Sequence, residues 1–405
     1  MAPRGQSPSR LWLVALLLPA AVSGCGQEFV IGVFDGTASG SGSASGSGSA
    51  STTAVVDGTA STSASGTGSS GSASDSGSSE SSGSSGPPPV CEAPMGHTVC
   101  DTDTNPFHTI GLGCPGAPTD TYPIVDPVFT SADPSAWWVI REYGNPQWIP
   151  TEGSNLLALS TGTLTAPNGS GVLVEPVGQS DAPVGNTANP DGVDLPAPIL
   201  PQPGSGGGAG GMPFEACDGQ GDCSESLPGP WQAAGPADDL LWLSFDIDVP
   251  PGTFGYRVDL AWFSAEFATR AQQPGTDVAV WWQSSEAFTG NVATLAGNAL
   301  AASEIAPWLA TNGLHGNDPA LLGTGHEGTT GVGCSYPGGS FPNCPRGGST
   351  GWLTMTAPAM PEERMTMVVA LFDLGDTQRD TTMLIDNWRW HCEGCQPGVD
   401  CGLAP

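Results

Sequence analysis

GSTGWLTMTAPAMPEERMTMVVALFDLGDTQRDTTMLIDNWRW, residues 348–390, decides the fold class. It holds a strand, a proline-marked turn, a second strand, an acidic loop and a third strand. Within the second strand Met365, Met367, Val369 and Leu371 fall on one face and Val368, Ala370 and Phe372 on the other. Both faces are apolar, so the period of two predicts a central strand covered on both sides. The run 383–390 closes the fold in the same manner, with one oddity. Leu384, Asp386, Trp388 and Trp390 share a parity, so a regular strand points Asp386 the same way as a leucine and two tryptophans. A carboxylate there needs a partner, or a bulge that turns it out.

Upstream, strand alternation is strong from Leu240 to Val249, where Leu241, Leu243, Phe245 and Ile247 alternate with more polar neighbours. Pro250-Pro251-Gly252 then turns the chain into a second run, 256–267, and residues 276–283 supply a third. Residues 136–140 and 155–162 are also strand-like. Residues 291–313 carry two readings: their alanines suit a helix, while Gly297-Asn298 suits a hairpin turn. Between Pro167 and Pro236 the chain is rich in Gly, Pro, Asn and Asp, too long for an ordinary connection and so an inserted loop or functional surface. Residues 91–405 are accordingly expected to form an all-β, disulfide-stapled β-sandwich, jelly-roll-like, with long inserted loops.

The start of the chain reads as an export signal. Arg4 and Arg10 precede the apolar run 11–22, too short for a permanent membrane anchor but suited to a signal peptide. It ends in Val22-Ser23-Gly24-Cys25, which looks like a lipobox in which Cys25 is acylated and becomes the mature N-terminus. Gly26 follows where an aspartate would resemble an inner-membrane retention signal, and this favours the outer membrane. Residues 26–90 are mostly Ser, Gly, Ala and Thr, which cannot bury enough apolar surface to offset ordering entropy. They read as a flexible tether, reaching about 40–50 Å as a random coil.

Charge and cysteine usage fit that address. Forty acidic residues face nine basic ones, all arginine, for a formal charge of -31. No basic patch exists to neutralise phosphates, so nucleic acid is excluded as a partner and divalent cations are favoured. Of the 11 cysteines, removing Cys25 leaves an even set, the pattern of a disulfide framework in an oxidising space. Cys217 with Cys223 and Cys334 with Cys344 are close enough for local loops. Cys91, Cys100 and Cys114 lie at one end of the domain and Cys392, Cys395 and Cys401 at the other, where they are able to staple the termini; the pairing stays open. Asp101-Thr102-Asp103-Thr104-Asn105 has the alternating oxygens of a calcium loop, but Pro106 and Leu112 stand where an EF-hand has glycine and glutamate. The alternative is an Asx-type turn.

Taken together, these landmarks resemble the choice-of-anchor L domain, a family of bacterial surface domains joined to differing anchoring signals. The blocks that carry the resemblance are Gly348-Ser349-Thr350-Gly351-Trp352-Leu353-Thr354, Phe372-Asp373-Leu374-Gly375-Asp376 and Leu384-Ile385-Asp386-Asn387. Glu152-Gly153-Ser154, Leu159-Ser160-Thr161-Gly162, Phe263-Ser264-Ala265-Glu266-Phe267 and Leu322-Gly323-Thr324-Gly325 add to it, so that it covers roughly residues 107–390. The chain departs from the family pattern at Thr276-Asp277, where Asn-Asp is common, and at His326, where an aromatic residue usually precedes Glu327. The resemblance implies a lipoprotein displayed at the cell surface, and implies no reaction.

Three groups of residues carry candidate chemistry. Glu266, Asp277, Asp376, Asp380 and Asp386 recur at the matched blocks, and if they converge they form a hard oxygen site suited to calcium. The competing reading pairs Asp386 with Arg257, Arg379 or backbone amides. Trp281 next to Trp282, and Trp137 next to Trp138, point to opposite faces of their strands. Either Trp281 and Trp137 serve as stacking platforms for sugar rings, or both faces are covered. His326-Glu327 is either half of an acid-base pair or a solvated loop histidine with its neighbour. No nucleophile elbow, zinc helix or phosphate loop occurs, and paired glycosidase carboxylates are identified only by their separation in space. The expectation is an outer-membrane-anchored surface lipoprotein, attached through lipid on Cys25, acting as a non-enzymatic binding, adhesion or structural module toward an extracellular glycan or protein. The alternative is a secreted calcium-dependent hydrolase acting on polysaccharide or peptide.

Overall fold

The structure, a computed structural model, describes residues 90–94, 96–131, 133–178, 196, 198–199, 237–273, 276–374 and 378–405. The signal peptide with Cys25, the tether up to residue 89, Asp376, Cys217 and Cys223 lie outside the described residues.

Twelve strands carry the architecture: β1 (Ile124–Ser131), β2 (Trp137–Ile140), β3 (Leu156–Ser160), β4 (Ala237–Asp248), β5 (Gly255–Ser264), β6 (Val278–Ser284), β7 (Thr294–Leu295), β8 (Asn298–Ala301), β9 (Gly348–Pro358), β10 (Arg364–Leu374), β11 (Thr381–His391) and β12 (Gly402–Ala404). They hydrogen-bond in the order β1-β4-β10-β6-β8-β7-β12-β9-β5-β11-β3-β2. The first five form one layer and β12 to β2 the other, with the β7–β8 hairpin joining them along one edge. The ladder therefore runs almost round the core. The successive strands β4, β5 and β6 change layer at each step, as do β9, β10 and β11, the jelly-roll-like habit expected for this all-β sandwich.

Alternation explains the layering. Met365, Met367, Val369 and Leu371 of β10 enter the central core, and Val368, Ala370 and Phe372 enter a second cluster on the outer face, so β10 is covered on both sides as its pattern requires. Trp388 marks the middle of the central core. Its ring lies 4.2 Å from Tyr256 of the neighbouring strand β5, and 6.0 Å from Trp281 and 5.7 Å from Phe245 of the opposite layer. On the outside of the second layer a row of paired residues, Trp138, Ala158, Leu384, Ala261 and Trp352, crosses β2, β3, β11, β5 and β9. Side chains from outside these twelve strands, Tyr143, Trp148, Leu164, Leu173 and Leu321, close over this row.

Residues 291–313 satisfy both of their readings in turn. Ala296 and Gly297, both with positive φ, make the hairpin turn between β7 and β8. The alanine-rich remainder forms helix α1 (Ala302–Asn312), which buries Ala302, Ile305, Ala306 and Leu309. Among the described residues no helix is long and apolar enough to cross a membrane.

Four disulfides staple the described residues. Cys334–Cys344 closes the local loop that its spacing suggests, and Cys100–Cys114 and Cys395–Cys401 close two more. Cys91–Cys392 joins the first and last parts of the domain across 301 residues. Cys392 and Cys395, though close in sequence, thus belong to two different bridges.

Candidate functional site

The oddity at Asp386 resolves through both of the routes open to it. Asn387 adopts a positive φ of 57°, and the register of β11 on β5 shifts between Asp386 and Arg389. This bulge switches parity: Met383 and Ile385 face the central core before it, and Trp388 and Trp390 face it afterwards. Asp386 thereby points away from the tryptophans. Its carboxylate, 1% exposed, accepts hydrogen bonds from the backbone N–H of Thr151 (2.5 Å), Glu152 (2.9 Å) and Asn387 (2.8 Å). Burial still pushes it up to about 7, against the pull of those amides.

The calcium set is corrected at this residue. Asp386 is six residues along β11 from Asp380, roughly 20 Å at strand rise, and neither Arg257 nor Arg379 is its partner. The cysteine-rich head is settled in the same way. Asp101 accepts from Ser154 N (2.5 Å) and Asn155 N (2.7 Å), while Asp103 and Asn105 cap the backbone of Asn105 and Phe107. Asp101 thus holds the distant 154–155 loop, while Asp103 and Asn105 make Asx-type turns.

Three of the five expected ligands do gather. Strand ends of β5, β6 and β11 bring Glu266, Asp277 and Asp380, all buried, to one end of the sandwich, where Asp239, Asp373 and Glu175 are buried as well. Glu266 Oε2 accepts from Asp277 N at 2.6 Å, and Asp277 Oδ2 accepts from Thr161 Oγ1 at 2.8 Å. Thr161 Oγ1 in turn accepts from Thr381 N at 2.9 Å, tying the loop after β3 to the start of β11. Asp380 rests against the backbone of residue 162, where a Cβ would stand 1.8 Å from its Oδ2, so any side chain there would have to displace the Asp380 carboxylate. Desolvation, then the charges of Asp277, Asp239 and Glu175, push Asp380 up to about 9.

Beside Asp380 is a cavity of about 10 Å³ whose lining includes Ser160, Glu175, Thr324, His326 and Thr382. Glu175 accepts from Thr165 N (2.6 Å) and Thr165 Oγ1 (2.7 Å), and burial raises it. His326 was expected as a loop histidine in water or half of an acid-base pair, and the structure corrects the first of these. Its ring is fully buried, 5.6 Å from Phe263, and desolvation lowers it to about 3. Neither ring nitrogen has a hydrogen-bond partner. The glycines around His326 signalled a loop correctly; what they did not signal is that this loop folds in over β5.

Of the two expected aromatic platforms, Trp281 is lost and Trp137 stays partly exposed. Trp281 is 1% exposed in the central core and Trp282 0% exposed in the outer cluster, so both faces of β6 are covered and Trp281 is closed to a sugar ring. Trp137 is half-buried against the core, with Phe129 packed on it edge-on at 4.7 Å. The hydrolase reading requires two carboxylates facing across an open cleft. Asp259 and Asp386 are cross-strand partners, but Asp259 is held by Arg389 at 3.1 Å and Asp386 by the amides of the 151–152 loop. One further cluster, Cys395, Asp400 and Cys401, brings ligand atoms within 4.8 Å of one another, but both cysteines are spent in a disulfide.

No family model, curated protein or solved structure matches the chain.

Proposed function

We propose that this chain is a surface lipoprotein of the choice-of-anchor L type, anchored in the outer membrane through acylated Cys25 and displaying a non-enzymatic binding or adhesion module. The observation that carries this reading is the disulfide framework. Four bridges in the described residues, one of them spanning 301 residues, belong to an oxidising compartment. They begin directly after a Ser/Gly-rich stretch whose composition suits a tether, and that stretch begins directly after the lipobox-like cysteine. Acyl chains contribute about 0.8 kcal/mol per buried methylene, so a multiply acylated Cys25 holds the chain to a bilayer with no spanning helix.

The experiment is metabolic labelling with a fatty-acid analogue, followed by mass spectrometry of the mature N-terminal peptide. The expected result is a lipidated N-terminus at Cys25, with label and membrane association both lost in Cys25→Ser. Protease treatment of intact cells then reports which side of the outer membrane the sandwich faces. An unlipidated mature chain free in the medium overturns the reading. A glycan array probed with the mature chain, disulfides intact, separates ligand binding from a purely structural role.

A further inference from the structure

The acidic end of the sandwich holds one side chain that ordinary packing does not account for. A buried imidazole normally donates from one ring nitrogen and accepts at the other, and each buried polar group left without a partner costs about 1–3 kcal/mol. His326 is fully buried with neither nitrogen engaged. It shares its cavity with Asp380, itself 8% exposed, and with the carboxylate of Glu175. At about 10 Å³ this space takes one small occupant, a water molecule or a single ion.

The surroundings choose between the two. Asp277, Asp239 and Glu175 all act on Asp380 in the direction that holds a proton on it, and a cation can take the place of that proton among the acids where a water cannot. The imidazole then chooses the cation. Calcium takes oxygen ligands, whereas a neutral imidazole nitrogen alongside carboxylates suits zinc, manganese and their neighbours. We propose that His326 and Asp380, with Glu175 drawn in beside them, bind one first-row transition-metal dication of zinc or manganese type. This assignment is independent of the lipoprotein reading. The ligand atoms of these three side chains do not already lie within 4.8 Å of one another, so the ion gathers them as it binds.

The test uses the full mature chain, free of any histidine tag, with its disulfides intact and its metals stripped by chelator. Isothermal titration with zinc and with manganese, backed by elemental analysis after dialysis, is expected to give one ion per chain with a raised Tm. Cobalt loaded at the same stoichiometry is expected to show visible absorption bands that His326→Phe removes. Asp380→Asn and His326→Phe, which keep shape, should each weaken zinc at least tenfold. Should either variant fail to fold, the wild-type titrations decide alone. No stoichiometric zinc or manganese at millimolar concentration overturns the proposal. Calcium bound as tightly as zinc, or a cobalt spectrum unchanged by His326→Phe, overturns the role of the imidazole.

Discussion

Asp386 and Asp259 stand opposite each other on β11 and β5, yet neither carboxylate is left to repel the other. Asp259 is taken up by Arg389, by Thr354 Oγ1 at 2.8 Å and by Asn387 Nδ2 at 2.7 Å, while Asp386 turns to the amides of residues 151, 152 and 387. Like charges directly opposite on a sheet destabilise it. The bulge at Asn387 aims the two side chains at different partners.

Asp386→Asn should therefore destabilise the domain by about 1–3 kcal/mol, because an amide nitrogen replaces one acceptor facing N–H donors. Urea unfolding with disulfides intact measures this. Hydrogen exchange at Thr151 and Glu152 should accelerate in the same variant, and unchanged exchange there would show that the carboxylate does not hold the loop.

Two buried acids and one half-buried one dominate the pH dependence above about pH 6.5. Asp380 is raised to about 9, and Asp386 and Glu152 to about 7, all above the value near 4 of an unfolded chain. Their folded forms keep protons that the unfolded chain releases, so the stability that these three groups contribute is full below about pH 4 and is lost as pH rises through 7 and on to 9, while buried His326, lowered to about 3, acts in the opposite sense only below about pH 6.5. Each such proton contributes a slope of up to about 1.4 kcal/mol per pH unit, less for Glu152, whose side chain is 29% exposed. Tm of the metal-stripped chain should fall between pH 5.5 and pH 8.5, and a rise over that range would contradict these assignments.

Disulfide removal should be graded. Cys91→Ser with Cys392→Ser opens a 301-residue closure and should cost about 2–5 kcal/mol. Cys395→Ser with Cys401→Ser opens a closure of 6 residues and should cost roughly 2 kcal/mol. Denaturant midpoints of the two double variants give the ranking directly.

Tryptophan positions should separate by more than twofold. Trp281→Ala empties the middle of the core and should cost about 3–5 kcal/mol, enough to leave little folded protein. Trp137→Ala, on the rim with one ring neighbour, should cost distinctly less. Comparable losses at both positions would mean that β2 is buried more deeply than its half-exposed tryptophans indicate.

Local pattern made β10, the sandwich class and the Cys334–Cys344 loop legible, because each depends on residues close in sequence. The parity switch at Asn387 was not legible. A bulge depends on an asparagine accepting positive φ opposite a strand more than a hundred residues away, and alternation alone continues straight through it. The acidic end was half legible: Glu266, Asp277 and Asp380 sit at strand ends that the fold brings together, whereas Asp386 lies on the strand that follows Asp380 but too far along it. His326 escaped because its glycine-rich neighbours describe a loop, and whether a loop lies in water or over Phe263 is a matter of tertiary packing.

The Cys91–Cys392 bridge also determines how the domain meets a mechanical load. Cys392 follows His391, the last residue of β11, so tension arriving from residue 90 crosses the sulfur–sulfur bond straight to the end of that strand. β11 is flanked by β5 and β3, and a pull along its axis loads those ladders in shear, many hydrogen bonds at once. The cysteine-rich head, although first in the chain, cannot be unravelled from its leading end. Everything between residues 91 and 392 lies inside one covalent ring that drag on the module cannot lengthen.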